Sequence, residues 1–227
     1  MARRQFAVIG LGRFGSAMAT TLAELGQDVI GVDGNAEKVR ELADTIAQAV
    51  ELDATDERAL RAVGIQDVDV AVVSIGENIE SSLLVVMQLR QLGIESIVAK
   101  AVTPLHGRIL EKLGVSRIIF PEREMAVRVA HGLVMPNVID YIELSRDFSI
   151  VEVPAPEQFV GRTLKQLELR PTYGLTLIAI KRRQTPAGAE VTNIAPSADE
   201  VIRAGDVLSL LGSNERLAAL DATLKQR

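Results

Sequence analysis

The chain has 227 residues, 48% of them hydrophobic, carries a net charge of −5 and lacks cysteine. That length and apolar content provide core for two small domains or one large one, and the lack of cysteine excludes disulfides, thiolate nucleophiles and Cys-built zinc or iron–sulfur sites, as fits a reducing cytoplasm. Residues 141–227 hold 11 basic and 11 acidic side chains, so the whole acidic excess falls in residues 1–140; with 3% aromatic content, no face for phosphates or stacked bases is suggested, and no nucleic acid partner is expected.

In chain order, Met1–Gln5 leads straight into a first strand without a signal-peptide pattern, and no apolar run approaches the ~18 residues a membrane span needs. Apolar β-type runs are predicted as strands at 6–9, 28–32, 46–50, 69–73, 96–100 and 117–119, with helices at about 13–25, 35–44, 56–63, 77–92, 104–113 and 122–134. Such alternation predicts an α/β, Rossmann-type doubly wound parallel sheet. Gly93 and Gly114 are placed for left-handed C-caps, and Pro104 for the first turn of a helix, where its missing N–H is not needed. Beyond Met135-Pro136-Asn137 the pattern changes to short strands at 139–144, 149–153, 175–181 and 206–211, a brief helix at 164–169, a turn at Thr185-Pro186-Ala187-Gly188 and a terminal helix at 214–224. This predicts a second, smaller α+β domain, dividing the chain into residues 1–136 and 137–227.

The strongest local signal is Gly10-Leu11-Gly12-Arg13-Phe14-Gly15, between Phe6-Ala7-Val8-Ile9 and the first helix, with Asp33 at the end of the second strand. Two glycines allow a tight turn and close approach to a pyrophosphate, the third allows helix and strand to pack, and the acid can accept from ribose hydroxyls. Asp53-Ala54-Thr55 after strand three and Ser74-Ile75-Gly76 with Asn78 after strand four fall at the same carboxyl edge; the first suits adenine contact, while Thr55, Asp56 and Asn78 equally suit helix capping. Asn35 and Lys38 follow Asp33, and Lys100 closes strand five; all three join the candidate set, Lys38 being equally an ordinary surface lysine. Arg13 is placed to fold onto the bound phosphates or to reach those held by a neighbouring subunit. Glu122 near a polyphosphate implies a bound cation, or else simply favours the dipole at the start of its helix. For catalysis the chain offers only His106 and His131 as imidazoles, both better explained as packed or surface residues, and contains no G-x-S-x-G, Walker A or H-E-x-x-H motif. Binding without turnover is therefore expected.

Taken together, F-A-V-I-G-L-G-R-F-G at the start, D-A-T after strand three, S-I-G-E-N-I-E-S-S at helix four and P-E-R-E-M-A at 121–126 resemble the RCK (regulator of potassium conductance) family, and within it the Ktr/TrkA-type regulatory subunits of bacterial potassium uptake. The resemblance spans the whole chain, because G-R-T-L at 161–164, Y-G-L-T-L-I-A-I-K-R at 173–182 and I-R-A-G-D-V-L-S-L-L-G-S-N at 202–214 resemble the C-terminal RCK domain. The resemblance implies a cytoplasmic ring, commonly an octamer of dimers, docked on the inner face of the membrane under a potassium-translocating subunit (KtrB/TrkH-like), with ATP and ADP favouring different ring shapes. It further implies that Arg13 approaches the γ-phosphate bound by a neighbouring protomer and that Glu122 helps to hold a cation (Mg2+, Ca2+ or Na+). Some relatives use NAD(H) with the same glycines and acid, so an NAD(H) redox sensor or an NAD-dependent oxidoreductase stands as the alternative. Several members bind cyclic di-AMP through an arginine, matched by Arg170, and an asparagine, where this chain has Thr176.

Overall fold

The computed structural model describes residues 3–135, 137–183 and 190–224. The chain separates into two compact units, Met1–Pro121 and Glu122–Arg227.

In the first unit the expected alternation is realised as β1 (Gln5–Ile9), α1 (Arg13–Glu24), β2 (Asp28–Asp33), α2 (Ala36–Leu42), β3 (Gln48–Glu51), α3 (Glu57–Ala62), β4 (Val70–Val73), α4 (Ile79–Gln91), β5 (Ile97–Lys100), α5 (Pro104–Lys112) and β6 (Arg117–Ile119). A short 3-10 turn at Ile65–Asp67 before β4 is the one regular piece of this unit that the apolar pattern did not announce. The strands pair in parallel in the order β3-β2-β1-β4-β5-β6. A parallel sheet is stable only with both faces covered, and here the alternation of side chains divides the core accordingly. Ala7, Ile9, Ala71 and Val73 pack on one face with Leu60, Val85, Leu89 and Leu110; Val8 and Val72 pack on the other with Leu11, Ala19, Val39 and Leu42.

The helix ends follow local chemistry. Asn35, Asp56 and Asn78 cap α2, α3 and α4 by accepting from backbone N–H groups of the first turn, and Thr103 caps α5 with Pro104 in its first turn. Gly93 and Gly114 lie in the left-handed region, at φ +87° and +76°, as the C-cap reading required.

The second unit begins with α6 (Pro121–Val134), most of which groups with it, whereas the sequence division fell after this helix. Arg128 donates to both carboxylate oxygens of Asp140 (2.9 and 2.5 Å), and His131 stacks on Tyr141 with ring centroids 4.0 Å apart. The Arg128 hydrogen bond and charge hold the Asp140 carboxyl below the usual range, against the opposing effect of burial. The strands β7 (Asp140–Glu143), β8 (Phe148–Pro154), β9 (Thr176–Arg183), β10 (Glu190–Ile194) and β11 (Val207–Ser213) form an antiparallel sheet ordered β10-β9-β11-β8-β7, followed by α9 (Asn214–Leu224). The expected helix at 164–169 is instead two short ones, α7 (Leu164–Leu167) and α8 (Leu169–Tyr173), broken where Glu168 turns into the left-handed region at φ +45°. β10 is an edge strand with exposed Val191 and Ile194, which lacks the period-2 burial that reveals a strand in sequence. The turn expected at 185–188 lies outside the described residues. Among those residues no helix is long and apolar enough to cross a membrane.

Candidate functional site

A cavity of about 630 Å3 opens at the carboxyl edge of the parallel sheet. It lies where the strand order reverses between β1 and β4, the place at which doubly wound folds bind ligands. The turn after β1 forms its floor. Gly10 has φ +93°, and a Cβ there would stand 3.0 Å from the Ser74 carbonyl carbon. At Gly15 a Cβ would fall 1.8 Å from the Gly10 carbonyl oxygen, so only glycine lets α1 seat on β1. Gly12 differs, because a Cβ there would meet no protein atom within 4 Å, and it faces the cavity. It is also the N-cap of α1, which has no side-chain cap. The helix thus presents its N-terminal amides and dipole beside open space, an arrangement that favours an anion.

Asp33 fixes this turn from the end of β2. Its Oδ2 accepts from the Leu11 N–H (2.7 Å) and its Oδ1 from the Asn35 N–H (2.8 Å), while the Lys38 ammonium stands 3.7 Å from Oδ2. The carboxylate therefore holds the glycine turn in addition to any ribose contact. Asp53 Oδ1 accepts from both the Thr55 hydroxyl (2.7 Å) and N–H (2.9 Å), which hold its carboxyl below the usual range. Asn78 caps α4 by accepting from the Ser81 N–H at 3.0 Å. Ser74 is buried and its Oγ has no partner among the described residues.

The structure brings Gly10, Gly12, Asp33, Lys38, Asp53–Thr55, Ser74–Gly76 and Asn78 around one cavity. Leu11 is buried in the core with Val8, Ala19 and Val39 and does not line the cavity. Arg13 is exposed at the start of α1, next to half-buried Phe14 and ahead of buried Gly15, outside the cavity lining. Asn35 caps α2 and does not line the cavity. The Lys100 ammonium lies 3.4 Å from where a Gly76 Cβ would be, and Lys100 is not among the cavity-lining residues. Glu122, in the first turn of α6, and Arg170, exposed on α8, belong to the second unit. Glu51 and Leu52 line the cavity and were missed from sequence; register could have found them, since Glu51 pairs with Asp33. Of the histidines, His106 is buried and accepts from the Val102 N–H through Nδ1, and burial lowers its pKa; neither histidine lines the cavity.

Residues 6–121 match the model of the TrkA-N domain and residues 148–225 that of the TrkA-C domain. The chain belongs to the Ktr/TrkA family of RCK proteins. It is 43% identical over 211 residues to the Ktr system potassium uptake protein C of Bacillus subtilis, covering 93% of each chain, and 39% identical over 209 residues to protein A of the same system and organism, covering 92% of this chain and 91% of the relative. Among solved structures, the GsuK channel bound to NAD overlays at TM-score 0.53 with 22% identity, covering 100% of this chain and 39% of that one. The TrkA-N domain of the inner membrane protein ybaL from Escherichia coli overlays at TM-score 0.52 with 19% identity, covering 59% of this chain and 98% of that one. These two likenesses bear on the fold.

Proposed function

We propose that this RCK chain is the nucleotide-binding regulatory subunit of a potassium-uptake system, acting at the inner face of the membrane on a potassium-translocating partner and binding its ligand without turnover. The observation that carries the reading is the open space above Gly12, beside an uncapped helix N-terminus and within the cavity that Asp33 borders. Phosphates placed over Gly12 put the ribose at Asp33 and the base towards Leu52, Ala54 and Thr55.

Electrostatics favours an assembled site. Among the described lining residues Asp33, Glu51, Asp53 and Glu77 stand against one cation, Lys38, so a triphosphate requires positive charge from elsewhere. Exposed Arg13 from a neighbouring copy in a ring, octameric in this reading, and a cation held with the help of Glu122 supply it. Among the described residues no group of three or more His, Asp or Glu side chains could hold a metal alone, so the cation would share its oxygens with the nucleotide. ATP then differs from ADP by contacts at the γ-phosphate, and it shifts the ring only by as much as it binds one shape better than the other. NAD(H) is the second reading, favoured by the Asp33 carboxylate at the ribose position; cyclic di-AMP binding at the second unit, near Arg170, is read by the same assay.

Equilibrium titration of the full chain with ATP, ADP, NADH and cyclic di-AMP, with and without Mg2+, Ca2+ or Na+, tests this against Arg13→Ala. Tight adenine-nucleotide binding, with ATP losing more than ADP in the variant, supports the switch. Tightest binding of NADH with no effect of Arg13→Ala overturns it in favour of the redox reading.

A further inference from the structure

One side chain ties together the two walls of the cavity. The wall after β3, Asp53-Ala54-Thr55, is wound by its own bonds: Asp53 Oδ1 accepts twice from Thr55, and the Asp56 N–H donates to the Asp53 carbonyl at 3.0 Å. Those bonds shape the loop without fixing where it stands relative to the rest of the site. Packing of Leu52 and Ala54 against the core gives part of that placement. The polar part comes from α4, where buried Gln88 donates through Nε2 to the Thr55 carbonyl oxygen across 33 residues of sequence. The same helix starts at the opposite wall, since Asn78 and Ser81 line the cavity.

We infer that Gln88 is a positioning residue for the nucleotide base. It holds the Ala54–Thr55 wall at the width set by α4, and so fixes which base the slot accepts. This rests on the orientation proposed above, with the base beyond Asp33 on the β3 side. Gln88 does not touch the ligand: its Oε1 is buried and has no partner among the described residues, so the side chain keeps a buried acceptor unsatisfied while serving one carbonyl. An unsatisfied buried acceptor is costly, and replacing the amide by an apolar side chain of similar shape removes that cost. Gln88→Met is therefore expected to leave the unit folded while releasing the wall.

The test compares Gln88→Met with the parent chain in two ways. In ligand-free protein, hydrogen exchange at the Thr55 and Asp56 amides is expected to quicken about fivefold or more, with the β1 amides unchanged, because losing that one bond frees the loop alone. In titrations, ATP affinity is expected to fall about five- to tenfold and GTP affinity less than twofold, so that the preference for adenine shrinks. Unchanged exchange at Thr55 and Asp56 overturns the positioning role even where nucleotide binding stands. Equal losses for ATP and GTP, or none, overturn the link to the base. A parent chain that binds neither nucleotide overturns the site reading itself, and this inference with it, whatever the exchange data give.

Discussion

Gly12→Ala and Gly15→Ala add the same methyl group three residues apart, yet the two backbones give it opposite surroundings. At Gly15 the new Cβ would overlap the Gly10 carbonyl oxygen at 1.8 Å, a clash with backbone that no rotamer relieves. Overpacking costs about 1–3 kcal/mol where side chains can yield; here α1 or the turn must move, so about 3 kcal/mol or more is expected. At Gly12 the methyl meets nothing within 4 Å, and φ −72° suits any L-residue. Alanine loses some N-cap preference and gains from a less flexible unfolded chain, terms of roughly 0.5–1 kcal/mol each with opposite sign, so stability should change by less than about 1 kcal/mol. What the Gly12 methyl does occupy is the space assigned to the phosphates, and ATP and ADP affinity should fall at least tenfold, about 1.4 kcal/mol. Thermal unfolding paired with calorimetric titration reads both quantities, with roughly 4 °C expected per kcal/mol for a unit of this size. Gly12→Ala binding ATP like the parent chain would refute the placement of phosphates above the α1 N-terminus. Gly15→Ala melting like the parent chain would refute the packing argument.

Asp33→Ala leaves the Leu11 and Asn35 N–H groups without their acceptor and should cost about 2–4 kcal/mol of stability in addition to ribose affinity, while Asp33→Asn, which keeps one acceptor oxygen, should recover about half; equal stability of the two variants by urea unfolding would contradict the lock. Asp206 is buried; burial opposes its ionisation, but the Arg182 hydrogen bonds at 2.7 Å, the Arg203 N–H at 2.8 Å and the charge of Arg182 more than offset this and lower its pKa. Asp206→Ala should therefore destabilise the second unit by about 3 kcal/mol, and the pair with Arg182→Met should be milder than the single variant; chemical denaturation of both checks the order. Burial lowers the pKa of His106, so as pH falls through the unfolded value of about 6.5 the unfolded chain takes up its proton first and stability declines. The melting temperature between pH 7.5 and 5.5 should drop less steeply in His106→Gln, and parallel slopes would exclude this contribution.

The first unit was legible because each of its signals is local. Strands such as Val70–Val73 are buried on both faces and read as continuous apolar runs, and each glycine or capping side chain sits within a few residues of the turn it shapes. The glycine turn, Asp33 and the two loops after β3 and β4 carried the cavity for the same reason. Harder to read was what depends on partners distant in sequence. The double duty of Asp33 appears only once β2 lies beside β1, and Glu51 enters the site through register. Gln88 looks like any polar residue of a mostly apolar helix until it meets Thr55. In the second unit β10 carries too few buried positions to announce itself, and the left-handed turn at Glu168, a residue type with no preference for it, divides a helix that its apolar residues describe as one. The roles assigned to Arg13, Glu122 and Arg170 rest on groups beyond a single chain's cavity, which no local pattern can supply.

The strand order also constrains when the site can come into being. In chain order β1, β2 and β3 precede β4, so the edge of Phe6–Ile9 that faces away from β2 gains its neighbour only once β4 at Val70–Val73 has been made. Until then the nascent chain exposes an apolar parallel edge of the kind that invites association with other chains. The cavity needs Ser74 through Ser81 as well, so a nucleotide has no complete seat on the emerging polypeptide and cannot shield that edge during translation. The interval between the third and fourth strands is thus one stage at which an apolar parallel edge of this sheet waits for its neighbour.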